Sequence, residues 1–506
     1  MSDESEPKTC LSLITHHSSL ITFFMKMEIQ NRKHSRRAFV LSMACAFMLF
    51  FAWGGETWAQ QQPQQGGAAA SSSKAVQPAP DKEKVKEVAA TAESLVTEFE
   101  VNGLKVLVKR RAGSLSVSAG LFMRGGARNV TAENAGIEAL MLDAATEGST
   151  GFPRETLRKE LARMGTGISY GITYDYSVLA LGSTRANFER SWEIFTDVAL
   201  RPAFVPEDVR RVQNRLVISR RDDADTPDSF IQVLQSRVAY AGHPYMNDPD
   251  GTEQTLGRLT VEDLRRYHAQ TMQTSRLLLV LVGDLDAARV RESITASFGK
   301  LPRGDYRPSP VPPLTFNTAT VDVTQRAIPT NYIQGVFSAP PVAADDYYAM
   351  RVASSLLNDR VLYEVRYKRN LSYAPEAFLR SQGANLGGIA VSAVDANQAI
   401  SVMLYEISKM QREAADPTDI NKVISGFLTQ HYIGQETNAA QAGDLAMYEL
   451  IGGGWRNSLT FLERIRAVTP KDVQRVAQKY MHHLRFVVLG DPARIDKNVF
   501  TVQLGG

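Results

Sequence analysis

At 506 residues the chain exceeds what one hydrophobic core usually serves, so two or more domains are expected. Apolar residues make up 44% and charged residues 22%, which excludes a mainly disordered protein, and 57 Lys+Arg against 54 Asp+Glu leave no basic excess for nucleic acid and no acidic tail. The only cysteines are Cys10 and Cys45, so a disulfide scaffold, a thiolate zinc site and a cysteine nucleophile are excluded from the main body.

Residues 1–59 read as a signal region. Arg32, Lys33, Arg36 and Arg37 precede an apolar run from Ala38 to Trp53, and a small-residue exit follows near Ala59. Ser35-Arg36-Arg37-Ala38-Phe39 is similar to a twin-arginine export signal. The run is shorter than the ~20 residues of a membrane span, so an exported, periplasmic or extracellular protein is expected. An uncleaved signal anchor is the alternative, and it would be the sole membrane contact. Residues 60–94 begin as QQQPQQGGAAASSSKAVQPAPDK, a low-complexity tether.

The remainder is written twice. Asp263 matches Asp472 at an offset of 209, and Gly283-Asp284 matches Gly490-Asp491 at 207. Pro206-Glu207-Asp208-Val209 matches Pro417-Thr418-Asp419-Ile420 at 211. A period near 210 is too long for a solenoid and indicates a domain duplication. The first copy runs over 95–301, a Pro-rich linker over 302–314 and the second copy over 315–506. Strand-like runs (LKVLVKR, SVSAGLFM, LLLVLVG) mix with long helical stretches over 134–149 and from Pro206 onward, without strict alternation. The expected class is α+β: two homologous tandem domains, each an antiparallel-rich sheet backed by helices. Proline in the linker resists regular structure and would permit hinge motion between the copies.

Gly125-Gly126-Ala127-Arg128, the helix Asn134 to Ser149, His243-Pro244-Tyr245, Gly251-Thr252-Glu253 and Val282-Gly283-Asp284 occur in an order that resembles the insulinase/pitrilysin-type metallopeptidases. The resemblance is to the two-domain, processing-peptidase-like branch and covers nearly all of the chain after the tether. It implies two sheet-and-helix halves, and peptide substrates that lie on a sheet edge as an added strand.

In that family the chemistry rests on H-x-x-E-H, in which two histidines on one helix face hold zinc and the glutamate polarises water. The matching helix here reads GIEALMLDAATEG. By the resemblance, the histidine slots fall on Ala139 and Asp143 and the glutamate slot on Leu142. The distal ligand falls near Arg220-Arg221. No catalytic or metal-binding residue is therefore expected in this chain. Glu138, Asp143 and Glu147 are expected to form a solvated face. His243, His268, His431, His482 and His483 offer no pair at helical ligand spacing, and the adjacent His482-His483 are expected to point apart.

In the second copy, Arg366 and Tyr373 lie in DRVLYEVRYKRNLSY, which is similar to the segment the family sets opposite its zinc. The resemblance implies that Arg366 binds a substrate carbonyl or carboxylate oxygen and that Tyr373 donates to the oxyanion at the scissile bond. The residues alone also fit a helix ending at Arg366 and Lys368, a left-handed cap at Asn370 and a strand opened by Tyr373.

A lost metal helix beside a retained Arg/Tyr element resembles the noncatalytic subunit of a heterodimer, with a homologous zinc-bearing peptidase subunit as partner. The alternatives are a binding or scaffold protein of the same fold, and an active metallopeptidase with an unrecognised metal site.

Overall fold

The computed structural model describes residues 91–502 and 504. The signal region 1–59 and the tether up to residue 90 lie outside the described residues; residues 91–94, the last of the tether, are helical.

Six strands form the first sheet: β1 (Val96–Val101), β2 (Leu104–Arg110), β3 (Ser116–Arg124), β4 (Gly167–Ile172), β5 (Tyr176–Thr184) and β6 (Leu277–Gly283). Their order is β1-β2-β6-β3-β5-β4. Five form the second: β7 (Thr320–Gln325), β8 (Asn331–Ala339), β9 (Glu376–Leu379), β10 (Asn385–Ala393) and β11 (Arg485–Gly490), in the order β7-β11-β8-β10-β9. In each sheet the last strand in sequence sits beside one parallel neighbour, β2 for β6 and β7 for β11. Its other neighbour is antiparallel, β3 for β6 and β8 for β11. The two sheets thus share one topology, with β1 added to the first. Every residue of β6 is buried, as its unbroken apolar sequence requires of a strand covered on both faces.

The longer helices are α1 (Ile137–Ala145), α2 (Arg154–Met164), α3 (Phe188–Leu200), α4 (Pro206–Asp225), α5 (Pro227–Ala239), α6 (Val261–Thr271), α7 (Ala287–Ala296), α8 (Asp346–Val361), α9 (Ala396–Arg412), α10 (Pro417–Gly434), α11 (Asn438–Ile451) and α12 (Pro470–Tyr480). The duplication is visible in their starts. Pro206 and Pro417 each open a helix, where a missing N–H costs nothing. Thr260 and Thr469 each close a capping box, with Asp263 and Asp472 respectively. Helix α1 is shorter than the expected 134–149. Gly136 has φ +89°, and a Cβ there would stand 2.8 Å from the Cα of Gly251, so the helix can begin only after it.

The halves are interlocked. Helix α5 leaves the first half and packs on β8 and β11, burying Ile231 with Val487 and Leu489. Helix α11 makes the reverse excursion onto β3 and β6, where Leu445, Ala446 and Trp455 join Leu107, Phe122, Leu278 and Val280. Each such apolar side chain contributes about 1.5–3 kcal/mol on burial.

The Pro-rich segment 302–314 has no helix or strand, and hydrogen bonds and packing hold it against the rest of the protein. The carbonyls of Pro302 and Arg303 accept from the N–H groups of Thr274 (3.0 Å) and Ser275 (2.9 Å). The Tyr306 hydroxyl donates to the Arg124 carbonyl at 3.1 Å. Val311 and Leu314 pack beside Tyr240 and Tyr245. Asp175 completes the clasp between halves: it accepts from the Tyr245 hydroxyl and from the Gly383 N–H at 3.0 Å.

Candidate functional site

Every residue of α1 is buried, because the helix packs among β4, α4 and α6. Ala139 and Leu142 carry no donor atom and belong to that buried surface; Leu142 is part of the first half's apolar core. Asp143 is buried and occupied. Arg215 Nη2, from α4, lies 2.6 Å from its Oδ1 and 2.7 Å from its Oδ2, and the hydroxyl of Tyr170, from edge strand β4, donates to Oδ2 at 3.0 Å. Burial alone would lower the proton affinity of Arg215, but the Asp143 charge and hydrogen bond outweigh it and raise the guanidinium's pKa. Burial, followed by the same carboxylate, pushes the Tyr170 phenol well up.

Glu138 of α1 and Glu147, in the turn just after it, correct the expectation of a solvated face. Glu138 accepts from the hydroxyls of Ser177 and Tyr267 (2.7 Å to the latter) and from Arg276 Nη2 at 2.6 Å. The Arg276 guanidinium stands 5.3 Å from the ring centroids of both Tyr267 and Tyr306. Glu147 receives Arg154 Nε at 2.7 Å, Arg211 Nη2 at 3.1 Å and Arg158 Nη2 at 3.2 Å. Burial raises the Glu147 pKa, and the guanidinium hydrogen bonds overcome that and hold it below the usual range. A helix covered on several sides offers its charges no water, so each is paired with arginine.

This donor set does not suit zinc. Two of the three motif slots are hydrocarbon, and the third is held by a cation. Near the expected distal ligand, Arg220 pairs with Asp223 at 3.2 Å and Arg221 with Glu253. Among the described residues no group of three or more His, Cys, Asp or Glu is placed to hold a metal ion. His243 is structural: its Nδ1 accepts the Tyr245 N–H at 3.1 Å and its Nε2 meets the Pro312 carbonyl at 2.9 Å. His482 and His483 do not point apart. The left-handed backbone of His483 (φ 50°) turns the rings to a centroid separation of 4.5 Å, with the Nδ1 atoms 3.1 Å apart.

The Arg/Tyr element of the second half is built on an irregular helix end. Helix α8 runs into a widened π turn, Leu362–Tyr367, and Asn370 takes the left-handed conformation at φ 52°. Its N–H returns to the Arg366 carbonyl at 3.1 Å, and that of Leu371 to Val365 at 2.9 Å. Tyr373 does not open a strand, since β9 starts only at Glu376. The chain reverses instead, and Arg366 comes to lie 3.9 Å over the Tyr373 ring and 5.3 Å from Tyr367. Tyr363, Tyr367 and Tyr373 are all exposed. Glu364 is taken up by Lys368 (3.1 Å) and Arg369. A π turn with a guanidinium stacked on an exposed phenol can present hydrogen-bond donors to a ligand.

Sequence reasoning missed Arg215, Arg276 and Tyr170, which lie 72, 138 and 27 residues from their carboxylate partners. No local pattern links residues so far apart.

The family described as insulinase (peptidase family M16) matches residues 105–246, and the peptidase M16 inactive domain matches residues 258–427. Together these cover more than half of the chain. The zinc protease PqqE of Helicobacter pylori is 22% identical over 273 residues, 51% of this chain. The match spans 60% of that protein's length. The mitochondrial-processing peptidase subunit beta of Blastocladiella emersonii is 20% identical over 400 residues, 75% of this chain and 85% of its own. The crystal structure of a peptidase M16 inactive domain from Pseudomonas fluorescens shares the fold, with a TM-score of 0.72 at 17% identity over 78% of this chain and 98% of that one.

Proposed function

Since the chain belongs to the insulinase (peptidase M16) family, we propose that it is a noncatalytic, substrate-binding subunit of an exported zinc endopeptidase. One observation carries this reading. The helix that should hold the metal presents Ala139, Leu142 and an arginine-bound Asp143, while a half-buried Arg366 stacks on an exposed Tyr373. A homologous subunit would supply the zinc and the attacking water. Arg366 would take a carbonyl or carboxylate oxygen of the peptide. The Tyr373 hydroxyl would donate to the oxyanion as it develops at the scissile bond, where a placed donor acts on the transition state more than on the ground state. Arg366 stacked beneath the ring fixes the phenol's orientation in advance. The likeness to a processing-peptidase subunit supports a two-chain arrangement. The basic n-region and apolar run of residues 32–53 support export.

The test compares two preparations on a quenched fluorescent peptide mixture, with and without a chelator. One is the recombinant chain from residue 60 onward; the other is the tagged chain recovered from its native envelope. Chelator-sensitive cleavage by the native preparation alone is the expected result, and mass spectrometry then names the partner. Cleavage by the recombinant chain alone would overturn the reading. Cleavage by neither would favour a scaffold protein of the same fold.

A further inference from the structure

In the first half, a guanidinium now stands beside the helix position at which the family places a metal ligand. Arg215 touches Asp143 through Nη2 only, and among the described residues its Nε and Nη1 make no hydrogen bond. Its side chain is 54% exposed although its carboxylate partner is buried. A guanidinium has five N–H donors, so with Nη2 on Asp143 the Nε and Nη1 of Arg215 can still donate to a second carboxylate, one hydrogen bond from each nitrogen.

Beyond the C-terminal half of α1, Arg154, Arg158 and Arg211 are taken up by Glu147 and Asp208, and the Asp250 charge acts on Tyr170, so Arg215 is a cation of this cluster with donors to spare. The site also adjoins a free strand edge. Strand β4 ends its sheet with β5 as its one neighbour, and its residues are half-buried throughout. The Tyr170 hydroxyl of that strand shares Asp143 Oδ2 with Arg215, so one carboxylate links the guanidinium to a side chain of the edge strand. A peptide added beside β4 would draw its backbone bonds from the strand and could present a carboxylate to Arg215.

We infer that Arg215, seated on Asp143 at the degenerate metal slot, is a carboxylate-recognition site that selects acidic peptides on the β4 edge. This rests on the reading of the chain as a substrate-binding subunit and names its substrate class. The carboxylate can come from an Asp or Glu side chain or from a peptide C-terminus.

The test is fluorescence anisotropy on the chain from residue 60 onward with labelled ten-residue peptides. One carries two Asp residues and a C-terminal amide, one has Asn in their place, and one has Asn with a free C-terminus. Expected is an acid-over-amide preference of about tenfold, shown by the Asp peptide, the free-C-terminus peptide or both, which identifies the source of the carboxylate. Arg215→Gln should abolish the preference, leaving affinity at the level of the amidated Asn peptide. Arg366→Ala should weaken all peptides by a similar factor and keep the preference. Asp143→Asn, which leaves one acceptor for Nη2 but removes the competing negative charge, should keep or increase it. The double variant Asp143→Asn/Arg215→Gln leaves no stranded charge and should lose the preference while staying folded. Equal binding of all peptides by the wild type, or a preference surviving in Arg215→Gln, overturns this inference and leaves the subunit reading standing. Failure to bind any peptide would overturn both.

Discussion

Replacing Arg276 with methionine should strand the Glu138 carboxylate. That carboxylate side chain is 3% exposed and its cation 5%, joined at 2.6 Å. The substitution removes the ion pair, the 3.1 Å contact with the Tyr267 hydroxyl and the position between the two tyrosine rings. The hydroxyls of Ser177 and Tyr267 remain to solvate Glu138, yet neither carries a charge. Breaking one side of a buried pair costs about 3–5 kcal/mol, because the remaining charge has no water to return to. The double variant Glu138→Gln/Arg276→Met keeps an oxygen for both hydroxyls and carries no charge, so it should recover about 2 kcal/mol of that loss. Urea unfolding of the chain from residue 60 onward reads both values by fluorescence, since Trp192 reports from the first core and Trp455 from the interface between halves. A single variant costing under about 1 kcal/mol, or a cycle additive within about 0.5 kcal/mol, would refute the claim that this pair is buried and coupled.

Other consequences follow from the interlock and from the two ends of the titration range. Trp455→Ala opens a cavity in the apolar cluster beside α11 and leaves Glu98 without the indole N–H at 2.8 Å; a loss of about 3–5 kcal/mol in the same assay is expected, with both sheets retained by circular dichroism. Burial pushes Asp444 up to about 6, against a smaller opposing pull from Lys109. The folded state therefore binds this proton more tightly than the unfolded state, whose pKa is near 3.8, so the group's contribution weakens as pH rises from about 4 to about 6. Asp444→Asn should flatten the unfolding midpoint across that window, and an unchanged slope would count against the shift. Asp346 is the opposite case: burial raises it, but Lys479, Arg475 and Tyr480 outweigh burial and hold it at about 2. Its stabilising effect is present above about pH 4 and is lost toward pH 2, so Asp346→Asn should lower the thermal midpoint at pH 7 and leave it unchanged near pH 2.

What was legible in the sequence was what local chemistry repeats. The apolar runs of β2, β3 and β6, the helix-opening prolines 206 and 417 and the paired capping boxes at Thr260 and Thr469 all follow from patterns a few residues long. The absence of histidine from Ala139 and Asp143 was equally plain. The fate of the carboxylates beside them was not, because Arg215 and Arg276 reach α1 through the tertiary fold. A helix with Glu138, Asp143 and Glu147 on it reads as solvated until the elements that cover it are known. The crossing of α5 and α11 was hidden for a similar reason: each helix is apolar on a face, and nothing local says which half that face meets. Arg366 and Tyr373 were named from a resemblance, and their stacking depends on a π turn and a left-handed Asn370 that propensity does not foretell.

The most direct measurement is peptide cleavage by the complex recovered with wild-type chain and with the Arg366→Ala/Tyr373→Phe variant. Tyr373 is exposed and Arg366 only half-buried, so complex yield and thermal midpoint should match closely, while cleavage falls by about a hundredfold or more as the oxyanion donor is lost. Equal cleavage by the two preparations would contradict the account, and so would chelator-sensitive cleavage by the recombinant chain with no partner present.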